Sequence, residues 1–185
     1  MPRLYDIIGM DPIPSFMPGF PTIDQIYDHI HIPYVYFADI IETFASFPNV
    51  TFLWKYENDD IGGILKSYRN IYIKEWFPQV DLLADPRLTI FITHGGMNSI
   101  LEAMYYAKPM IVVPLFADQQ CNSKNVERKG LGILLKRHLL NKKTLTNALK
   151  RIMGNKWVIS DISFTTDCFL TLTSSKNFER IRCNP

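Results

Sequence analysis

The residues best suited to chemistry in this chain fall in one run, from Leu88 to Gln120, with His94-Gly95-Gly96-Met97-Asn98-Ser99 at its centre. An imidazole, two glycines and two small polar side chains in succession suit the binding of an anion. Gly95 and Gly96 let the backbone turn sharply and put no Cβ in the way of a ligand. Asn98 and Ser99 stand where a helix begins, and the unpaired amides of a helix N-terminus, backed by the macrodipole, favour phosphate. Ser99 also suits helix capping, which is compatible with that role. Glu102 lies four residues beyond Asn98, about one helical turn, so it can share the same cleft and accept hydrogen bonds from sugar hydroxyls. Asp118 and Gln119 close the run after a second apolar stretch. Upstream, Trp76-Phe77-Pro78-Gln79 offers an aromatic face and an amide. His29 and His31 form an HxH pair, but no Cys, Asp or Glu cluster stands close by to complete a metal site.

Positioning such a turn calls for a sheet. Leu88, Ile90, Phe91 and Ile92 make a nearly continuous apolar run, as expected of a strand covered on both faces in a parallel sheet. The spacing predicts strands at Tyr34–Phe37, Val50–Trp54, Ile71–Ile73, Leu88–Thr93, Met110–Leu115 and Leu131–Leu135. Helices are expected at Ile40–Phe47, Val80–Ala84, from Asn98 onward, at Asn122–Lys129 with Gly130 closing it, and at Lys142–Met153 closed by Gly154. Strand and helix alternate, so the fold class is α/β: a doubly wound parallel, Rossmann-like sheet. With the common strand order 3-2-1-4-5-6, the crevice lies beyond the carboxyl ends of the first and fourth strands. His94 directly follows the fourth.

The chain has 185 residues, 47% of them apolar and 21% charged, which is ordinary for one globular domain. A formal net charge of +2 argues for neither nucleic acid nor an acidic membrane surface. The group Lys136, Arg137, Lys142 and Lys143 reads as a solvated face. Cys121, Cys168 and Cys183 show no framework or CxxC spacing. The longest apolar run, Met110 to Ala117, falls far short of a spanning helix, and no signal-peptide pattern opens the chain, so a soluble chain is expected. Ester hydrolases also use an HG-rich oxyanion loop, but the G-x-S-x-G elbow they require is absent from the sequence.

Taken in order and spacing, Trp76-Phe77-Pro78-Gln79, Asp81-Leu82-Leu83, Thr93-His94-Gly95-Gly96-Met97-Asn98-Ser99, Glu102-Ala103, Pro109, Pro114 and Asp118-Gln119 closely resemble the nucleotide-sugar signature of the UDP-glycosyltransferases, in particular the animal UDP-glucuronosyltransferase branch. The resemblance implies the C-terminal, donor-binding half of a GT-B glycosyltransferase. It implies that Trp76 stacks on uracil and Gln79 bonds the nucleoside. His94, with the turn at Gly95 and Gly96, would meet the diphosphate together with Asn98 and Ser99. Glu102 would hold the ribose hydroxyls, and Asp118 with Gln119 the hydroxyls of the transferred sugar. The implied reaction moves a hexosyl group from a UDP-sugar to a small lipophilic acceptor with inversion, using no metal and no further cofactor. The catalytic base is expected in the N-terminal domain, so no catalytic residue is assigned here. The alternative is a catalytically inactive UDP-sugar-binding fragment, or a partner subunit of full-length relatives. The family also implies an endoplasmic reticulum membrane location.

The expected organisation is an extended linker over residues 1–32, rich in proline and taken as a remnant of the N-terminal domain, then a UDP-sugar-binding domain over residues 33–154, then a divergent tail over residues 155–185. That tail is expected to be poorly ordered, with eight Ser or Thr among residues 160–175. A departure is also expected at the first strand. The family places a glycine- and serine-rich loop after it, whereas Val35-Tyr36-Phe37 runs into Ala38-Asp39-Ile40 without a glycine, setting Asp39 where it would repel a diphosphate.

Overall fold

The stretch Tyr34–Ala45 carries aromatic and β-branched residues that favour strands, yet its apolar positions Phe37, Ile40, Ile41 and Phe44 recur at helical spacing. In the computed structural model, which describes residues 7–10, 34–56, 62–65 and 67–154, the spacing prevails: Tyr34–Ala45 is helix α1. Ile40, Ile41 and Phe44 are buried, and Phe37 packs beside them. The expected strand at Tyr34–Phe37 is therefore corrected to the first turn of a helix. Asp39 sits within that helix, where its carbonyl accepts a hydrogen bond from Thr43 Oγ1 at 2.7 Å. It does not occupy a strand-exit loop.

The first strand lies earlier, at Ile7–Met10 (β1), inside the segment read as a linker. The remaining elements are β2 (Thr51–Lys55), α2 (Gly62–Leu65), β3 (Ile71–Lys74), α3 (Gln79–Ala84), β4 (Leu88–Thr93), α4 (Met97–Tyr105), β5 (Met110–Val112), α5 (Gln119–Arg128), β6 (Gly132–Leu134), a 3-10 turn at Arg137–Leu139 and α6 (Lys142–Gly154). The helix expected from Asn122 thus starts three residues sooner, at Gln119. The strands form one sheet in the order β3-β2-β1-β4-β5-β6, with every pairing parallel. This is the expected 3-2-1-4-5-6 arrangement with a different segment as strand one. The order reverses between β1 and β4, where Gly9 pairs with Phe91 and Met10 with Ile92.

Alternation along the inner strands feeds two cores. Ile90, Ile92, Ile111 and Val113 join Ile40, Phe44, Phe52, Leu145 and Leu149 on the side covered by α1 and α6. Phe91, Met110 and Val112 join Leu83, Ile100, Met104 and Val126 on the side covered by α3, α4 and α5. Burying one Leu, Ile or Phe side chain contributes roughly 1.5–3 kcal/mol before entropy is counted, so two closed cores are the main force holding the sheet. Phe44 stacks on Phe52 with centroids 3.9 Å apart, which fixes α1 on β2. Asn70 closes the α1–β2 turn by donating from Nδ2 to the carbonyls of Phe44, Phe47 and Val50 at 2.9, 3.1 and 3.1 Å.

Two close approaches hold the right-hand half of the sheet. A Cβ on Gly132 would lie 2.1 Å from the Met110 carbonyl oxygen, so β6 can pair with β5 only with glycine there. Lys108 Nζ donates to the carbonyls of Asp85 and Leu88, both at 2.7 Å, tying the start of β4 to the start of β5. Burial pushes this amine's pKa down, against the smaller opposing pull of Asp85. Cys121, on α5, is disulfide-bonded; its spacing in sequence points to no such bond.

Candidate nucleotide-sugar site

The carboxyl ends of β2 to β5 carry the candidate residues to one edge of the sheet. After β4 the chain turns at Gly95, whose φ is +91°, a region that L side chains avoid. The turn is packed on its other side as well. A Cβ on Gly95 would fall 2.8 Å from Val112 Cγ1, 3.0 Å from Ser123 Oγ and 3.3 Å from the Gln119 carbonyl oxygen. At Gly96 a Cβ would fall 2.8 Å from His94 Nε2. The two glycines therefore serve different ends: the first admits the fold, and the second makes room for the His94 ring.

Gly96 is the N-cap of α4, in extended conformation and with no side-chain cap. Ser99, which could have capped the helix, stands inside its first turn. No side chain caps this end, and the dipole of a helix spanning Met97–Tyr105 lies behind it. His94 and Ser99 are half-buried, while Asn98 is exposed beside them. Gln79, the first residue of α3, reaches across to this helix. Its Nε2 donates to Glu102 Oε2 at 2.8 Å and, more weakly, to Ser99 Oγ at 3.4 Å. Two residues assigned separately to nucleoside and ribose are thus bonded to each other, and the amide orients the carboxylate.

Trp76 follows β3 and is 73% exposed. A tryptophan placed to fill the core would be buried, so its face is offered outward. Lys55, the last residue of β2, lies over the ring with Nζ 4.7 Å from the centroid. A cation–π contact of this kind contributes about 0.5–1 kcal/mol at an exposed site and holds the ring in place.

On the far side, Asp118 and Gln119 begin α5. Gln119 is 4% exposed, and its Oε1 accepts from the amides of Leu115 and Phe116 at 2.9 and 3.1 Å. Its carbonyl end is committed to shaping the loop after β5, leaving Nε2 as the group it can turn to a ligand. Asp118 is exposed, and Asn122 Nδ2 donates to its Oδ2 at 2.9 Å. The same Nδ2 donates to the Gly95 carbonyl at 3.1 Å. Ser123 Oγ donates to the Gln119 carbonyl at 2.6 Å. Lys55, Asn122 and Ser123 were not singled out in the sequence. The i, i+4 pairs Asp118/Asn122 and Gln119/Ser123 would have shown two of them had α5 been started at Gln119.

The Ala117 backbone has φ +51°, so the loop reaches Asp118 through a left-handed residue that is not glycine. His29 and His31 lie outside the described residues. Among the described residues no group of three His, Cys, Asp or Glu side chains could hold a metal, and no helix is long and apolar enough to cross a membrane.

A doubly wound parallel sheet with an uncapped helix N-terminus and a glycine turn at its switch point defines a Rossmann-like α/β domain. The chain belongs to the family of UDP-glucoronosyl and UDP-glucosyl transferases, whose family model matches residues 33–163. Human UDP-glucuronosyltransferase 3A2 is 38% identical over 120 residues, covering 65% of this chain and 23% of its own length. The bovine UDP-glucuronosyltransferase 3A1 is 37% identical over 113 residues, covering 61% of this chain and 21% of its own. The chain spans about a quarter of the length of the curated relatives it matches. Among solved structures, Medicago truncatula UGT71G1 complexed with UDP-glucose aligns with a TM-score of 0.64 at 20% identity, covering 92% of this chain and 37% of its own. The glycotransferase of kitacinnamycin aligns at 0.71 and 20% identity, covering 90% and 39%. At that identity the likeness concerns the fold, and the fold is the C-terminal, Rossmann-like half of the GT-B glycosyltransferases.

Proposed function

We propose that this chain is the donor-binding half of a UDP-glycosyltransferase. It holds a UDP-sugar at the carboxyl edge of the sheet while a hexosyl group passes to a small lipophilic acceptor presented by a second domain. The observation that carries this reading is the turn from His94 to Gly96 opening onto the uncapped N-terminus of α4 at the point where the strand order reverses. Around it, Trp76 presents a face for uracil and Glu102 a carboxylate, oriented by Gln79, for the ribose. His94 and the amides of α4 take the diphosphate, with Asn98 and Ser99. Asp118 and the Nε2 of Gln119 meet the transferred sugar. As the acceptor oxygen attacks the anomeric carbon, the bond to UDP breaks and negative charge grows on the diphosphate. Amides and imidazole fixed at that place stabilise the leaving group. The base that takes the acceptor's proton belongs to the second domain.

Calorimetric titration of the 185-residue chain with UDP tests the reading. Saturable binding, lost in both Trp76→Ala and His94→Ala, is the expected result; a folded chain that takes up no UDP overturns it. Binding without UDP release from UDP-sugar and acceptor would assign the chain to the alternative role of a binding subunit. Release with no relative present would assign it turnover of its own.

A further inference from the structure

We propose that Asn122 is a positioning residue that couples the diphosphate turn to the carboxylate facing the transferred sugar, so that UDP-sugar and UDP are told apart through it. The inference rests on the donor-binding reading above and adds to it a residue whose side chain no part of that reading uses.

Asn122 is a polar residue only 6% exposed. Its single amide nitrogen carries two N–H groups, and both are spent on the site: one on the Gly95 carbonyl at 3.1 Å, the other on Asp118 Oδ2 at 2.9 Å. The first acceptor belongs to a turn packed closely against Val112 and Ser123 beside Gly95. The second belongs to an exposed side chain that would otherwise sample several rotamers in water. Asn122 therefore passes the fixed position of the turn on to the Asp118 carboxylate, and leaves Oδ1 to accept from a ligand hydroxyl. Its own backbone is held, since the Asn122 amide donates to the Asp118 carbonyl at 2.9 Å. The neighbouring Ser123 Oγ grips the Gln119 carbonyl. Removing the amide leaves Asp118 in place but unaimed.

UDP ends at the diphosphate and, of the two groups that Asn122 joins, meets only the turn. A UDP-sugar also needs Asp118 at a set distance from that turn. Loss of the coupling should therefore weaken UDP-glucose far more than UDP, which a general loosening of the fold would not do.

The test is a double-mutant cycle on the full chain, with UDP and UDP-glucose titrated separately into wild type, Asn122→Ala, Asp118→Ala and the pair. The expected result for Asn122→Ala is a Kd about threefold higher for UDP and about thirtyfold higher for UDP-glucose, a tenfold change in discrimination equal to about 1.4 kcal/mol. In the Asp118→Ala background the same substitution should add no further loss specific to UDP-glucose. Equal weakening of both ligands, or additive losses in the pair, overturns the coupling. Failure of the wild-type chain to bind UDP overturns the donor-binding reading beneath it. Asn122→Ser keeps one donor for two acceptors and carries the same comparison should the alanine variant not fold.

Discussion

Gly95 offers the sharpest single perturbation. Gly95→Ala places an L side chain at φ +91°, which costs roughly 1–2 kcal/mol from backbone sterics. The new methyl meets Val112 Cγ1 at 2.8 Å and Ser123 Oγ at 3.0 Å, both on packed elements, and overpacking of this kind costs about 1–3 kcal/mol more. The sum is about 2–5 kcal/mol, a substantial share of the roughly 5–15 kcal/mol that holds a domain folded. For a chain of this size each kcal/mol is about 2–4 °C in Tm, so a fall of about 4–20 °C is expected in a thermal melt. Gly63→Ala is the matched control. It adds a methyl to α2, where nothing lies within 4 Å of the new Cβ, and exchanging Gly for Ala inside a helix stabilises by up to about 1 kcal/mol. The two substitutions should move Tm in opposite directions. Equal melting of Gly95→Ala and wild type would refute the reasoning that the turn is locked from both sides.

Four further outcomes follow from contacts already described. Gly132→Ala should destabilise more than Gly95→Ala, because the clash at 2.1 Å is with the Met110 backbone; a chemical melt ranks the two. Gln119→Leu strips the acceptor from the Leu115 and Phe116 amides and should cost about 1–3 kcal/mol by denaturant titration, whereas Trp76→Ala, at a ring 73% exposed, should leave stability almost unchanged while abolishing UDP binding. Asp85 accepts hydrogen bonds from Arg87, which hold its pKa down at about 2 against an ordinary 3.8. A carboxyl depressed on folding contributes stability that is present above the ordinary value and lost as pH falls from there toward 2. Arg87→Ala removes the guanidinium but keeps the residue-87 amide that donates to Asp85 Oδ1 at 2.8 Å, so the Asp85 titration, followed by carboxyl NMR, should move part of the way up toward its ordinary midpoint and the acid-side dependence should shrink.

The central strands were legible because the strongest signals belong to them, whereas their order was taken from the common doubly wound arrangement. Leu88–Thr93, with its near-continuous apolar run, and the glycine turn behind it needed no tertiary knowledge to place. The first strand was not legible. Ile7–Met10 is a short stretch among prolines whose place in the sheet is set by its pairing with β2 and β4, a non-local fact. Tyr34–Phe37 drew the strand assignment through residue preference, and the stripe of Phe37, Ile40, Ile41 and Phe44 outvoted it. At the site, the sequence showed which residues gather at the carboxyl edge but not which of them hold one another. The Gln79–Glu102 bond joins residues 23 apart in the chain, and the Lys55–Trp76 contact depends on β2 and β3 lying side by side. Gln119 looked like a ligand side chain; half of its amide turned out to be spent on the loop itself.

Binding of UDP at the β4–α4 turn is tested most directly by mapping the ligand on the chain. Amide and indole resonances followed by 15N NMR through a UDP titration should shift at the Trp76 indole, at Gly95, Gly96 and Asn98, and at Ser99, saturating together with one Kd. Residues of β6 and the outer face of α6, including Gly132 and Lys150, should stay still. A saturating response centred away from the β4–α4 turn, or none from a chain whose spectrum is that of a folded protein, would contradict the account.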